Sequence, residues 1–318
     1  SFAWQSAQIN AEKASNKNQD FALTLGEYAL PSIRAKEGLK LADKWGEMQL
    51  ALTADQAGTS IRSYMDAISL KLEKQKNLKD KIEFLEKKLK TERLKYDYGM
   101  LSLNDLRDVE SALFTAKQNL AILEKELDAA YEDLNYALGY PESQRDLPEY
   151  DLKYVPLPQV DLEKKIKDDT ASDPYLWFAM QQRELAQFAL TTYEYNADAQ
   201  SWTLTKLDLS SANLNAANTE KALAKTIRSR YDQIRLLEEN LESLQITLDQ
   251  TKRSVNAARL QFDIGMITKI QLEEARRNVC DLEIQIHELQ LKHKQLTEIF
   301  EKPYLAPDYI SGSGQSAS

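Results

Sequence analysis

Any chemistry in this 318-residue chain would have to come from a short list of side chains, and their spacing points away from it. His287 and His293, the two histidines, stand six residues apart, which is off one face of a helix. Neither has the Glu-x-x-His spacing by which facing helices hold metal ions. Cys280, the one cysteine, has ordinary helix charges around it and no base to make it a nucleophile; it reads as a packing residue where the first half of the chain has Phe114. There is no phosphate-binding loop and no nucleophile beside a base, so the pattern predicts no enzyme, no metal and no cofactor. Lysines crowd residues 71–95, whereas the matching stretch of the second half begins LEENLES. That contrast reads first as a solvated face, next as complementary charge between unlike halves, and least as nucleic-acid binding. A net charge of -9 with no basic cluster argues against nucleic acid or an anionic membrane as the main partner.

The elements that would position these groups are helical. Nine glycines and eight prolines against 29% charged residues is too little punctuation for an all-β chain and predicts few, long helices. A single cysteine excludes an intrachain disulfide and leaves the compartment open. No run of about 18 apolar residues predicts a transmembrane helix. The start, SFAWQSAQIN, has neither a basic nor an apolar signal region, so export would require a leader already removed, which agrees with the missing initial Met. The end, SGSGQSAS, reads as a flexible linker or an appended remnant.

The organising stretch is residues 94–106, LKYDYGMLSLNDL, which returns as LQFDIGMITKIQL at 260–272. Each copy reads as a helix end, a tight turn and a helix start. Gly99 and Gly265 suit the left-handed residue of a helix C-terminus. Ser102 and Thr268 suit the N-cap, with Asp105 and Gln271 reaching back from three residues on as a capping box, Asp being the shorter substitute. Leu101 and Ile267 would pack on Leu106 and Leu272 as a staple. Asp97 and Asp263 oppose the helix macrodipole in the last turn of both copies, which suggests a polar tip for partner contact, against the plainer reading of solvated charge.

The same offset of 166 residues relates Ile61, Arg62, Ser63 and Asp66 to Ile227, Arg228, Ser229 and Asp232 without a gap, so the chain is a duplication. FALTLGEY at 21–28 and FALTTYEY at 188–195 extend it at an offset of 167. Residues 1–28 are weakly helical, interrupted by Asn16, Asn18 and Asp20, with a boundary near Ala29. Pro31 fits the first turn of a helix reaching Tyr98, roughly 100 Å at 1.5 Å per residue. After each turn a heptad seam follows: Leu106, Val109, Leu113, Ala116, Leu120, Leu123, Leu127, Ala130, Leu134 and Ala137, then Leu272, Ala275, Val279, Leu282, Ile286, Leu289, His293, Leu296 and Phe300. His293 stands where the first copy has Leu127; it either sets register or, as the preferred reading, faces solvent where the seam drifts. Gly139, Tyr140 and Pro141 end the first hairpin, and a Pro-broken linker should run extended to Asp161. Asp173 and Pro174 start another helix to about Asn196, and NADAQSWTLTKLD at 196–208 breaks the pattern again. The division is therefore a first repeat at 1–140, a linker at 141–160, a second repeat at 161–305 and a tail at 306–318.

With both turns in view, the sequence resembles the TolC-like outer-membrane efflux protein family, whose tip turns read aromatic-x-x-Gly, Ser or Thr, then Asp-Val or Asp-Leu. Tyr96, Gly99, Ser102, Asp105 and Leu106 match in one copy, and Phe262, Gly265, Thr268 and Leu272 in the other, with Gln271 in place of Asp. The resemblance covers about residues 30–305, with LNYALGYP at 134–141 similar to a repeat ending. It implies a homotrimeric α-barrel in the periplasm, continuous with an outer-membrane β-barrel. It also implies that the tips, including Asp97, Met100, Asp263 and Met266, dock on a periplasmic adaptor and an inner-membrane pump. Acidic groups after the second turn constrict the pore in such proteins. Gln271 and Glu274 hold those positions here, so one acidic group is lost.

The family inserts a β-hairpin at the break in each copy, and a spanning strand needs about 9 to 11 residues. Neither break is long enough for two strands, so the chain as it stands should not insert in a bilayer; it belongs to a barrel-less branch or has lost its hairpins. The expectation is an all-α, TolC-like protein of antiparallel coiled-coil hairpins acting as an extracytoplasmic conduit or docking component of an efflux or secretion assembly. The alternative is a barrel-less coiled-coil spacer or scaffold of the cell envelope that transports nothing.

Overall fold

The computed structural model describes residues 8, 30–145, 154–193 and 201–305. Every extended element in it is a helix: α1 (Leu30–Asp97), α2 (Leu103–Leu138), α3 (Leu162–Ser172), α4 (Pro174–Thr191), α5 (Trp202–Asp263) and α6 (Lys269–Glu301), followed by a 3-10 turn (Pro303–Leu305). No strand occurs among the described residues, so the all-α expectation holds for them. No helix among them is long and apolar enough to cross a membrane. The expectations for residues 1–28, for the boundary at Ala29 and for the tail lie outside the described residues. Pro31 does fall in the first turn of α1.

The chain divides into two units, each drawing on both halves of the sequence. The first comprises Ser1–Ser60, Leu157–Ile234 and Leu296–Ser318. Its core gathers Leu223, Ile227 and Ile234 of α5, Ile166 of α3, Phe300 of α6 and Leu157 of the linker. The α5 members recur at four and seven residues, the spacing that returns a side chain to one helix face. Trp45 of α1 stacks on Phe178 with ring centroids 4.4 Å apart and meets Tyr175 edge-on at 5.5 Å. Asp173 starts α4 as expected, its Oδ1 accepting from the Leu176 amide at 2.8 Å with Pro174 next.

Three boundaries depart from the sequence reading. Residues 162–172 form α3, because Asp161 Oδ1 caps the Lys164 amide at 3.2 Å although Ile166 is the one residue the helix buries. One buried side chain leaves almost no periodic signal. Helix α4 stops at Thr191, short of Asn196. Thr192 leaves the helix and its hydroxyl donates back to the Phe188 carbonyl at 2.7 Å, while Arg34 Nε donates to the same Oγ1 at 2.9 Å and Nη2 to the Thr192 carbonyl. A guanidinium at a helix C-terminus also suits the macrodipole. Last, residues 202–208 of the supposed second break are the first two turns of α5, with Ser201 Oγ accepting from the Leu204 amide at 3.3 Å.

The second unit comprises Ile61–Pro156 and Arg235–Gln295 and holds two antiparallel hairpins. In α1/α2, Ile68 packs with Leu127, Ala130, Tyr131 and Leu134, and nearer the turn Phe84 and Leu85 pack with Ala116. In α5/α6, Leu241 and Leu248 pack with Ile286. Every predicted seam residue of α2 from Leu106 to Ala137 is buried or half-buried. Between the hairpins the character changes, since α1 meets α6 largely through polar groups. Asp66 takes Lys294 at 3.1 Å, Asn77 Nδ2 donates to Asp281 at 2.8 Å, Lys74 meets Glu288 at 2.7 Å, and Glu73 meets His287.

The lysine run is in large part the solvated face expected of it, with Lys76, Lys79, Lys81, Lys87, Lys90 and Lys95 exposed, and several of its members also pair with glutamates of neighbouring helices. Lys71 and Lys79 pair with Glu126 and Glu124 of α2, while Lys74 and Lys88 pair with Glu288 and Glu274 of α6. Complementary charge between unlike halves holds for the two pairs with α6, and exposed pairs of this kind contribute about 0–1 kcal/mol each.

Of the linker, residues 154–161 are irregular, as the prolines require, and 146–153 lie outside the described residues. The first hairpin ends as expected: Gly139 adopts φ 74°, and the Tyr140 amide donates to the Asn135 carbonyl at 2.9 Å.

Core truncation should separate inside from outside. Leu223→Ala, at a fully buried site, is expected to lower unfolding free energy by about 2–5 kcal/mol in denaturant titration, and Leu214→Ala, at an exposed site of the same helix, by far less.

Candidate functional site

The second unit carries both helix reversals, and backbone chemistry builds each of them. Gly99 and Gly265 have φ of 72° and 77°, the left-handed region open to glycine. The Met100 amide donates to the Lys95 carbonyl at 2.8 Å and Gly99 to Tyr96 at 2.9 Å; Met266 donates to Gln261 at 2.8 Å and Gly265 to Phe262 at 2.9 Å. These pairs are the two bonds of a Schellman ending, which satisfy carbonyls that α1 and α5 would otherwise leave open.

The restarts differ in chemistry. Thr268 and Gln271 form the full reciprocal box: the Thr268 amide donates to Gln271 Oε1 at 2.8 Å, and the Gln271 amide to Thr268 Oγ1 at 3.4 Å. In the first copy Ser102 Oγ accepts from the Asp105 amide at 3.2 Å, but the Asp105 carboxylate takes the Ser102 hydroxyl at 2.7 Å and not the backbone amide. Asp is one methylene too short to reach it. Leu106 and Leu272 are buried behind the turns, with Leu101 and Ile267 half-buried beside them.

What the turns present outward is apolar. Tyr98 is 80% exposed, Met100 77%, Ile264 72% and Met266 71%. Tyr98 and Ile264 add to the tip residues expected from the sequence; their signal there is the bulky side chain just before a left-handed glycine. Tyr96 and Phe262 are at the edge of exposure, and Asp97 and Asp263 are the exposed last residues of α1 and α5. The two turns lie at one level of the unit. Lys88, nine residues before Asp97, pairs at 3.0 Å with Glu274, nine residues after Gly265, and Ile270 packs against Phe84 and Leu85. The two candidate constriction residues are both engaged, Gln271 in its cap and Glu274 with Lys88.

Away from the tips, two readings need correction. His293 does not drift to solvent: it is 3% exposed, its Nε2 is 3.0 Å from Glu238 Oε1, and Tyr154 of the linker meets its ring edge-on at 5.1 Å. Arg235 holds the other Glu238 oxygen at 2.7 Å. Burial, and then the Glu238 charge, push the Tyr154 hydroxyl above its ordinary pKa. Cys280 is exposed, as Phe114 is, because both follow a seam position and do not occupy one. Partial desolvation, and next the Glu283 carboxylate, raise its thiol pKa, the opposite of activation. Among the described residues no group of three or more His, Cys, Asp or Glu could hold a metal ion.

The helices at the two edges of this unit, α2 and α5, keep apolar side chains in solvent: Phe114 and Ile122 on α2, and Leu236, Ile246 and Leu260 on α5. On α5 these three recur at 10 and 14 residues, which a heptad helix places within one stripe.

The architecture is the TolC-like helical fold that the sequence resembles. Among solved structures it is similar to the outer membrane protein VceC of Vibrio cholerae, with a TM-score of 0.65 at 12% identity over 94% of this chain and 92% of that one. It is likewise similar to the Campylobacter jejuni CmeC outer membrane channel, with a TM-score of 0.67 at 12% identity over 100% and 84%. The Neisseria gonorrhoeae MtrE outer membrane channel gives 0.57 at 13% identity over 95% and 85%. No protein-family model and no curated protein matches the sequence.

The capping difference is measurable. Thr268→Ala should destabilise by about 1 kcal/mol in denaturant unfolding, with Thr268→Ser nearly neutral. Gly265→Ala should cost about 1–2 kcal/mol through its positive φ alone, since a Cβ there meets nothing within 4 Å.

Proposed function

We propose that this chain is a subunit of an extracytoplasmic helical conduit in an efflux or secretion assembly of the cell envelope. The observation that carries the reading is the pair of apolar faces on α2 and α5, together with a fold shared with outer-membrane channels. A ring of subunits, a homotrimer by resemblance, would set α2 of one copy beside α5 of the next and remove both faces from water. Burial of apolar area is the general driving force for such closure.

On this reading the functional organisation follows the duplication: repeats at 1–140 and 161–305 joined by a linker at 141–160, with the tail at 306–318 apart. The two tips dock a periplasmic adaptor and through it an inner-membrane pump. Tyr98, Met100, Ile264 and Met266 supply the apolar contact, and Asp97 and Asp263 the polar rim. Gln271 and Glu274 stand where family members narrow the pore; one neutral and one ion-paired side chain there would make a weak acidic gate.

Light scattering across a concentration series tests ring closure. A three-subunit species is expected, and Phe114→Asp with Leu260→Asp should dissociate it while leaving helix content unchanged by circular dichroism. A monomer at every concentration, with the chain at its native length, overturns the conduit and leaves the spacer role. For the rim, Asp97→Asn with Asp263→Asn should weaken adaptor capture in a pull-down; undiminished capture removes these carboxylates from the docking site.

A further inference from the structure

The internal duplication bears on what covers the outer edges of the second unit. Its offset of 166 residues relates α1 to α5 and α2 to α6, so each contact of α1 with α6 has a counterpart between an α5 and an α2. Within one chain α2 and α5 are opposite edges of the unit, so the counterpart contact needs another copy. At the α1/α6 joint the facing residues are polar. Lys74 meets Glu288 at 2.7 Å, Lys88 meets Glu274 at 3.0 Å, and Asn77 Nδ2 donates to Asp281 at 2.8 Å. Asp80, a turn after Asn77, is near enough to Cys280 for its charge to help raise the thiol pKa. Transposed by the offset, these pairs become Asn240 with Ile122, Ser254 with Asp108, Ser243 with Thr115, and Ile246 with Phe114. Both lysine pairs lose charge. Phe114, Ile122 and Ile246 are all exposed, and exposed Leu236 stands one turn before Asn240. Four apolar side chains that the edges leave in water thus meet in two groups at a single register. Against this, Asp66 with Lys294 becomes Asp232 with Asp128, two carboxylates; Asp232 belongs to the first unit, and Arg145 stands 3.5 Å from Asp128.

We propose that neighbouring copies join α2 to α5 in the register of the internal α1/α6 joint, with Phe114 on Ile246 and Ile122 beside Leu236, so that the joint between copies is apolar where the joint within a chain is ionic. The partner is a second copy of this chain, and the proposal rests on the conduit reading. Because the two copies use different faces, the contact is heterologous, the kind that closes a ring. Charge pairing specifies the inner joint, whereas burial of apolar area stabilises the outer one. Salt therefore weakens the first and spares the second.

Paired cysteines in the full chain, with Cys280→Ser removing the native thiol, test the register. Phe114→Cys with Ile246→Cys should give, on oxidation, covalent species of up to three chains on a denaturing gel. Phe114→Cys with Glu239→Cys lies seven residues away along the same stripe, about 10 Å off, and should give about tenfold less, since a disulfide tolerates roughly 4.4–6.8 Å between Cα atoms. By light scattering, the three-subunit species should persist in about 1 M sodium chloride, where exposed ion pairs are screened. If that species forms but the Ile246 pair cross-links no better than the Glu239 pair, the register is overturned and the conduit stands. Dissociation by salt overturns the apolar character of the joint. A monomer at every concentration removes the conduit reading and this joint with it.

Discussion

A long helix with one apolar stripe cannot remain bare in water, and the rest of this structure depends on how its stripes are covered. Intrinsic propensity contributes little over the 68 residues of α1 or the 62 of α5; packing must do most of the stabilising. In the second unit the cover comes from the returning arm of the same hairpin. The stripe of α2 meets α1, and that of α6 meets α5, each leucine finding its partners across a turn only a few residues long. Local reversal supplies the cheapest route to burial because the loop to be closed is short.

Covering one stripe per helix leaves the sides. Where α1 and α6 meet, the contact is built from carboxylates, lysines and amides, with Phe84 and Ile270 the apolar exception near the turns. Such a boundary specifies who pairs with whom more than it stabilises the pairing. The lysines of α1 meet glutamates of α2 in their own copy, Lys71 with Glu126 and Lys79 with Glu124, as well as glutamates of α6 in the other, Lys74 with Glu288 and Lys88 with Glu274.

Much of this could be read in the residues. Two glycines, two hydroxyl caps and a three-four leucine rhythm are local signals, and local signals survive because each describes a bond or contact made within a turn or two. What escaped was set at a distance. Burial of His293 depends on Glu238, 55 positions earlier, and on a tyrosine from the linker. Helix α3 exists through one cap and one buried isoleucine, and the stop of α4 depends on Arg34 from 158 positions away. Asp105 shows the finer limit: its type and spacing matched a capping box, yet side-chain reach decided which atom it bonds.

The construction of the tips has a further consequence. Each reversal is held by backbone amides and carbonyls, one glycine and one capping hydroxyl, while the exposed side chains of Tyr98, Met100, Ile264 and Met266 stand clear of those bonds. The scaffold and its outward vocabulary are thus separable. Substitutions among those four would leave the turn standing, so the end of the bundle can be rewritten for a different neighbour without renegotiating the fold that carries it.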